Sequence, residues 1–263
     1  MNIQSITRFL IILGVLSSLA LAEYPFRVGE KLIFTAGFRF FAAGEATLEL
    51  TADTLNNSPV YLLTNNTQTN SFLDRFYRVR DQVKVWIDTT DLSLIRQEKR
   101  IQEGRYNSYH LAWIDTVSMM AITEEDSIPL PGRVLDPLSA IYNLRGSELV
   151  PGEKYQFTTY DGGTVREVLV RVTEKDKVSV PLGIFKCLVV KPAAADNRQL
   201  LKNEGRMKIW FTDDENRYPV RIEQKTNVGT MVMELQRVEY PPDEESDESS
   251  EDAGDIIIED KDK

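Results

Sequence analysis

Tyr155-Gln156-Phe157-Thr158-Thr159-Tyr160, Asp161-Gly162-Gly163 and Thr164-Val165-Arg166-Glu167-Val168-Leu169-Val170-Arg171-Val172 form the stretch that decides the fold. In an extended chain Val168, Val170 and Val172 fall on one face, with Leu169 and Arg171 on the other. Both faces of such a strand are partly covered. The Asp-Gly-Gly step between the two runs supplies the positive φ that a tight hairpin needs.

The same period of two extends outward from this hairpin. Ala46, Leu48 and Leu50 alternate with Thr47, Glu49 and Thr51, and Val83, Val85 and Ile87 alternate with Lys84 and Trp86. Met207–Phe211 and Met231–Leu235 continue the pattern late in the chain. Turn formers separate the runs, among them Asn56-Asn57-Ser58-Pro59, Asp88-Thr89-Thr90-Asp91, Pro151-Gly152 and Asp213-Asp214-Glu215-Asn216. About a dozen short strands at hairpin spacing predict a mainly β fold, a curved antiparallel sheet forming an incomplete, half-open barrel. Helical spacing is convincing once, in Asp136-Pro137-Leu138-Ser139-Ala140-Ile141-Tyr142-Asn143-Leu144. Asp136 reads as N-cap and Pro137 as first helical residue, with Leu138, Ile141 and Tyr142 on one side. This short helix is expected against the concave side of the sheet, and a second turn or helix at Ser71–Tyr77.

Residues 1–22 read as a signal peptide. Arg8 precedes the apolar run Phe9–Leu21, and Ala20-Leu21-Ala22 is a small-x-small cleavage site before Glu23. Residues 23–241 then form a single β-rich domain and 242–263 an acidic tail. The net charge of −10 becomes −11 after cleavage, of which Asp243–Lys263 carries −9 and the body −2. Such a tail buries too little to order itself, so it is expected to be disordered. The body has no basic surplus, which argues against nucleic acid as a partner.

One Cys and one His in 263 residues exclude an intrachain disulfide, a zinc ribbon and most His-based metal sites. No cofactor or metal is expected. Phe185, Cys187 and Val189 share a strand face, so Cys187 is expected to be buried as a small hydrophobe. Asp213-Asp214 lies at a turn and is expected to serve it, since adjacent strand residues point to opposite faces.

The helix segment Asp136–Arg145 resembles the central signature of an exported bacterial family known as domain of unknown function 3108. Other pieces fit in order: Val28-Gly29-Glu30-Lys31-Leu32, Ala43-Gly44-Glu45-Ala46, Pro181-Leu182-Gly183-Ile184-Phe185, Trp210-Phe211-Thr212-Asp213-Asp214 and Arg217-Tyr218-Pro219-Val220. The resemblance spans roughly Pro25–Tyr240. It implies a soluble periplasmic or cell-envelope protein with a curved sheet, similar to the half-open barrels of lipoprotein carriers, and attaches no activity. Asp136, Pro137, Ser139, Gly183, Trp210, Asp213 and Pro219 carry the signature and are expected to be structural.

Aromatic placement supplies the candidate site. Phe38, Phe40 and Phe41 lie beside a predicted turn at a sheet end, and Phe72 and Phe76 follow in Ser71–Tyr77. With Tyr142 and Arg145 they are the residues expected to bind a ligand, because apolar cavities inside curved sheets hold greasy molecules. The expected function is therefore non-enzymatic: an envelope protein without a membrane span, binding an apolar small molecule, a lipid or an envelope protein segment in its concavity. An interaction module with a filled core is the alternative, and a carboxylate-dependent hydrolase the third.

Overall fold

The computed structural model describes residues 24–38, 41–195, 206–226 and 229–241. The expected signal peptide, residues 1–22, the expected tail, residues 242–263, and Phe40 lie outside the described residues. Among the described residues fourteen strands make one antiparallel sheet. The first eight are β1 (Lys31–Phe38), β2 (Phe41–Leu55), β3 (Ser58–Thr69), β4 (Arg80–Asp88), β5 (Leu94–Glu103), β6 (Tyr106–Asp115), β7 (Met120–Ile122) and β8 (Ser127–Pro129). After helix α1 (Pro137–Arg145) come β9 (Lys154–Asp161), β10 (Thr164–Val180), β11 (Gly183–Ala194), β12 (Arg206–Thr212), β13 (Pro219–Thr226) and β14 (Gly229–Glu239). Ser71–Tyr77 contributes only a 3-10 turn, Leu73–Arg75, with no buried residue.

Each half of the chain is a meander of hairpins, and the halves join where β1 pairs with β14. The β9–β10 loop is the predicted one: Gly162 and Gly163 have φ of 52° and 83°, between the closing pair Asp161 and Thr164. At the β2–β3 turn Asn56 and Asn57 take the same left-handed geometry, which Asn tolerates best after Gly.

Two edges, β8 and β9, end this sheet. In a flat sheet β6 and β9 would be about 50 Å apart, since neighbouring strands are spaced by about 4.8 Å. Instead His110 Nε2 on β6 lies 3.1 Å from the Tyr160 hydroxyl on β9, and Lys99 Nζ on β5 lies 2.5 Å from Asp161. The sheet therefore curls back on itself. Among the described residues no ladder joins β8 to β9, so the barrel stays incomplete. The segment leading into α1 occupies the seam: Leu94 N–H donates to Val134 O, Leu135 N–H to Thr158 O, and Tyr160 N–H to Leu135 O.

The register shows which face turns inward. Val85, Gln97 and Ala112 are paired neighbours across β4–β6, all fully buried, and Leu50 and Leu63 continue the row through β2 and β3. Phe34 on β1 sits between Ala46 and Leu235, which carries the same face into β14. These residues fill the main core together with Tyr142 of α1, Tyr160 and Cys187. A second cluster lies farther along, where Val172, Val190, Ile209 and Ile222 follow one another from β10 to β13. Leu144 of α1 is buried in it. The helix thus sits on the concave side, and its buried Leu and Tyr side chains each contribute about 1.5–3 kcal/mol of hydrophobic stabilisation. Cys187 is fully buried as expected, and burial pushes its thiol up to about 12.

Candidate ligand pocket

Beneath α1 the inner wall is not filled. A cavity of about 260 Å³ opens between the helix and the β9–β14 half of the sheet. Leu138, Ile141 and Leu144 roof it, because the three-four spacing of a helix brings them to one side. Val168 and Val170 of β10, Ile209 of β12, Ile222 of β13 and Met233 of β14 form the floor. Alternation within each strand and the antiparallel register assemble that floor from four separate segments. Thr159, Asp161 and Arg166 supply the polar part of the lining.

The polar end of the pocket adjoins the seam. Asp136 is the N-cap of α1, accepting from Leu138 N–H, while the Ser139 hydroxyl accepts from Asp136 N–H. Gln97 ties the cap to the opposite edge: its amide donates to Asp136 Oδ2 at 2.5 Å, and its oxygen accepts from Gly162 N–H at 3.0 Å. Burial, reinforced by the nearby Asp161 charge, raises the Asp136 carboxyl to about 7. Burial, and then the Lys99 charge, hold the His110 imidazole below its usual range against the opposing pull of Asp161.

The residues expected to bind ligand are not brought together. Phe38 and Phe41 close the β1–β2 hairpin with ring centroids 5.5 Å apart, beside a separate hollow shared with Arg221 and Glu234. Phe41 is more than half exposed. Phe72 and Phe76 pack on each other at 5.6 Å on the 3-10 turn, facing solvent. None of these four lines the pocket under α1. Tyr142 and Arg145 belong to the helix but point away from the cavity. Arg145 is fully buried and forms a two-pronged ion pair with Glu30, at 2.5 and 2.9 Å, among the rings of Phe26, Tyr142 and Tyr218.

The signature residues have structural tasks. Asp136, Pro137 and Ser139 start the helix. Gly183 opens β11 with a φ of 154°. Trp210 is buried and donates from Nε1 to Asp176 at 2.9 Å. At the β12–β13 turn Asp213 pairs with Lys175, while Asp214 accepts from the N–H groups of Asn216 and Arg217. Pro219 begins β13 opposite Phe211. Sequence reasoning missed the pocket floor, although one signal was available: Arg166 has the same parity as Val168 and Val170.

A family model described as protein of unknown function, DUF3108, matches residues 33–236. The chain belongs to that family. No curated protein matches it. Among solved structures, the β-barrel-like protein of domain of unknown function DUF1849 from Brucella abortus aligns with 82% of this chain and 99% of its own. Its TM-score is 0.57 at 12% identity, so the DUF3108 chain shares that barrel-like fold and nothing more is implied. Two further structures, a candidate lipoprotein from Parabacteroides distasonis and a candidate exported protein with a YmcC-like fold from Bacteroides fragilis, each align with 82% of the chain. They cover 97% and 98% of their own chains at 13% identity, and their TM-scores of 0.33 are too low to carry an argument. Among the described residues no helix is long and apolar enough to cross a membrane.

Proposed function

We propose that this DUF3108 protein is a non-enzymatic, exported cell-envelope protein that binds an apolar ligand in the pocket between α1 and the concave face of the sheet. The observation that supports this reading is the cavity itself, about 260 Å³ enclosed mainly by aliphatic side chains. Apolar surface left unfilled beside a packed core forgoes the dispersion contacts a filled site would gain, and an apolar guest restores them. Export rests on the leader-like first 22 residues. The carboxylates nearest the pocket are already engaged, Asp136 with Leu138 and Gln97, Asp161 with Lys99, which fits binding better than hydrolysis.

The test is fluorescence titration with an environment-sensitive apolar dye, comparing the wild type with Ile141→Trp. A Trp indole at the roof fills the cavity from an intermediately exposed helix position. Saturable one-to-one binding by the wild type, weakened at least about tenfold by Ile141→Trp, is expected. Equal binding by both proteins would place the dye elsewhere and overturn the reading.

A further inference from the structure

We propose that Arg166 reads the head group of the ligand, and that the ligand is a single-chain amphipath with an anionic head, a carboxylate or a phosphate monoester. This rests on the pocket reading above and makes it chemically specific. Arg166 lies on β10 opposite Thr159 of β9, one inward-facing position beyond Val168, and both residues line the pocket. Its side chain is partly withdrawn from water.

Two other cations of this region have counterions. Lys99 holds Asp161 at 2.5 Å, and deeper in the fold Arg145 holds Glu30. Arg166 has no carboxylate or hydrogen-bond acceptor for its guanidinium among the described residues. A guanidinium beside aliphatic walls attracts an anion more strongly than one in open water, because the walls lower the local dielectric. Asp161 shares the rim, but its charge is matched by Lys99, so among the described residues lining that mouth Arg166 is left as the surplus charge. The planar guanidinium offers paired N–H donors in the spacing of carboxylate and phosphate oxygens.

Size narrows the class further. Sites for drug-sized ligands span about 300–1,000 Å³. At about 260 Å³ this cavity holds one chain and excludes a diacyl lipid. An acyl chain joined through a neutral amide or ester would fill the walls but leave Arg166 without its anion.

The experiment is competition against the bound dye by decanoate, monodecyl phosphate, decanol and dipalmitoyl phosphatidylglycerol, using wild type, Arg166→Gln and Ile141→Trp. In the wild type at least one anionic single-chain probe should bind about tenfold or more tightly than decanol, and the diacyl lipid should compete poorly. Arg166→Gln should erase that preference, bringing both anionic probes to within about twofold of decanol. A preference for decanoate points to a fatty acid as the source, and one for decyl phosphate to a phosphate-headed lipid. If decanol matches both anions and Arg166→Gln changes nothing, the head-group proposal is overturned while the pocket reading survives. If no probe binds and Ile141→Trp behaves like wild type, both fail.

Discussion

Asp136 combines two roles that oppose each other. Its carboxylate accepts from the helix N-terminus, which favours the charged form, yet it is almost wholly inaccessible, which favours the neutral one. Burial wins, and the group titrates near 7 instead of 3.8. A carboxyl raised in the folded state contributes stability that is fully present below its unfolded value and lost as pH rises through the folded one. Stability from this residue therefore falls between about pH 4 and pH 7. Asp136→Ala should cost about 0.5–2 kcal/mol at the acid end of that window, from loss of the cap, and progressively less toward pH 8. Urea denaturation at several pH values reads this directly, and a cost independent of pH would mean that the carboxyl keeps its charge throughout. The capping role was legible from Asp136-Pro137. Its burial was not, because the partner that completes it, Gln97, comes from a strand 39 residues earlier.

At the scale of the element, α1 is fixed by two unlike faces. Ile141 and Leu144 rest on the second cluster, while Tyr142 and Arg145 reach into the main core. The three-four spacing foretold an amphipathic helix on the concave side, and the structure places it there. What spacing could not reveal is the anchor at its C-terminal end, since Glu30 is 115 residues away in the chain. The Glu30 carboxylate also accepts from the Tyr240 hydroxyl at 3.2 Å, so the entry to β1, the helix end and the exit from β14 meet on one ion pair. The aromatic cluster misled for a related reason. Phe38 and Phe41 close a hairpin, and proximity to a turn says nothing about whether the turn lies over the cavity. Glu30→Ala should cost about 3–5 kcal/mol, because it strands a buried guanidinium, whereas Glu30→Ala with Arg145→Met should cost less than that single change. Equal or greater loss in the double variant would show that attraction within the pair, not the stranded charge, dominates.

Over the whole molecule, alternation foretold the strands and the antiparallel hairpins, but not their order. Hairpin pairing is local and therefore visible in sequence. The pairing of β1 with β14 joins residues about 200 positions apart, and no local pattern encodes it. That pairing has a kinetic consequence. Each half can form its hairpins alone, yet the shared core around Phe34 and Leu235 exists only when the last strand arrives. Closing so long a loop comes before the contacts that repay it, so refolding should be slow, on the order of milliseconds to seconds or longer. A chain ending at Thr226 lacks β14 and leaves β1 with a bare edge beside exposed Leu32 and Phe34. Such an edge invites pairing with other copies. The truncated chain should show no cooperative thermal transition by circular dichroism and should elute from size exclusion as large aggregates. A monomeric fragment with a sharp melt would mean that the two meanders fold independently and that the β1–β14 ladder merely joins them.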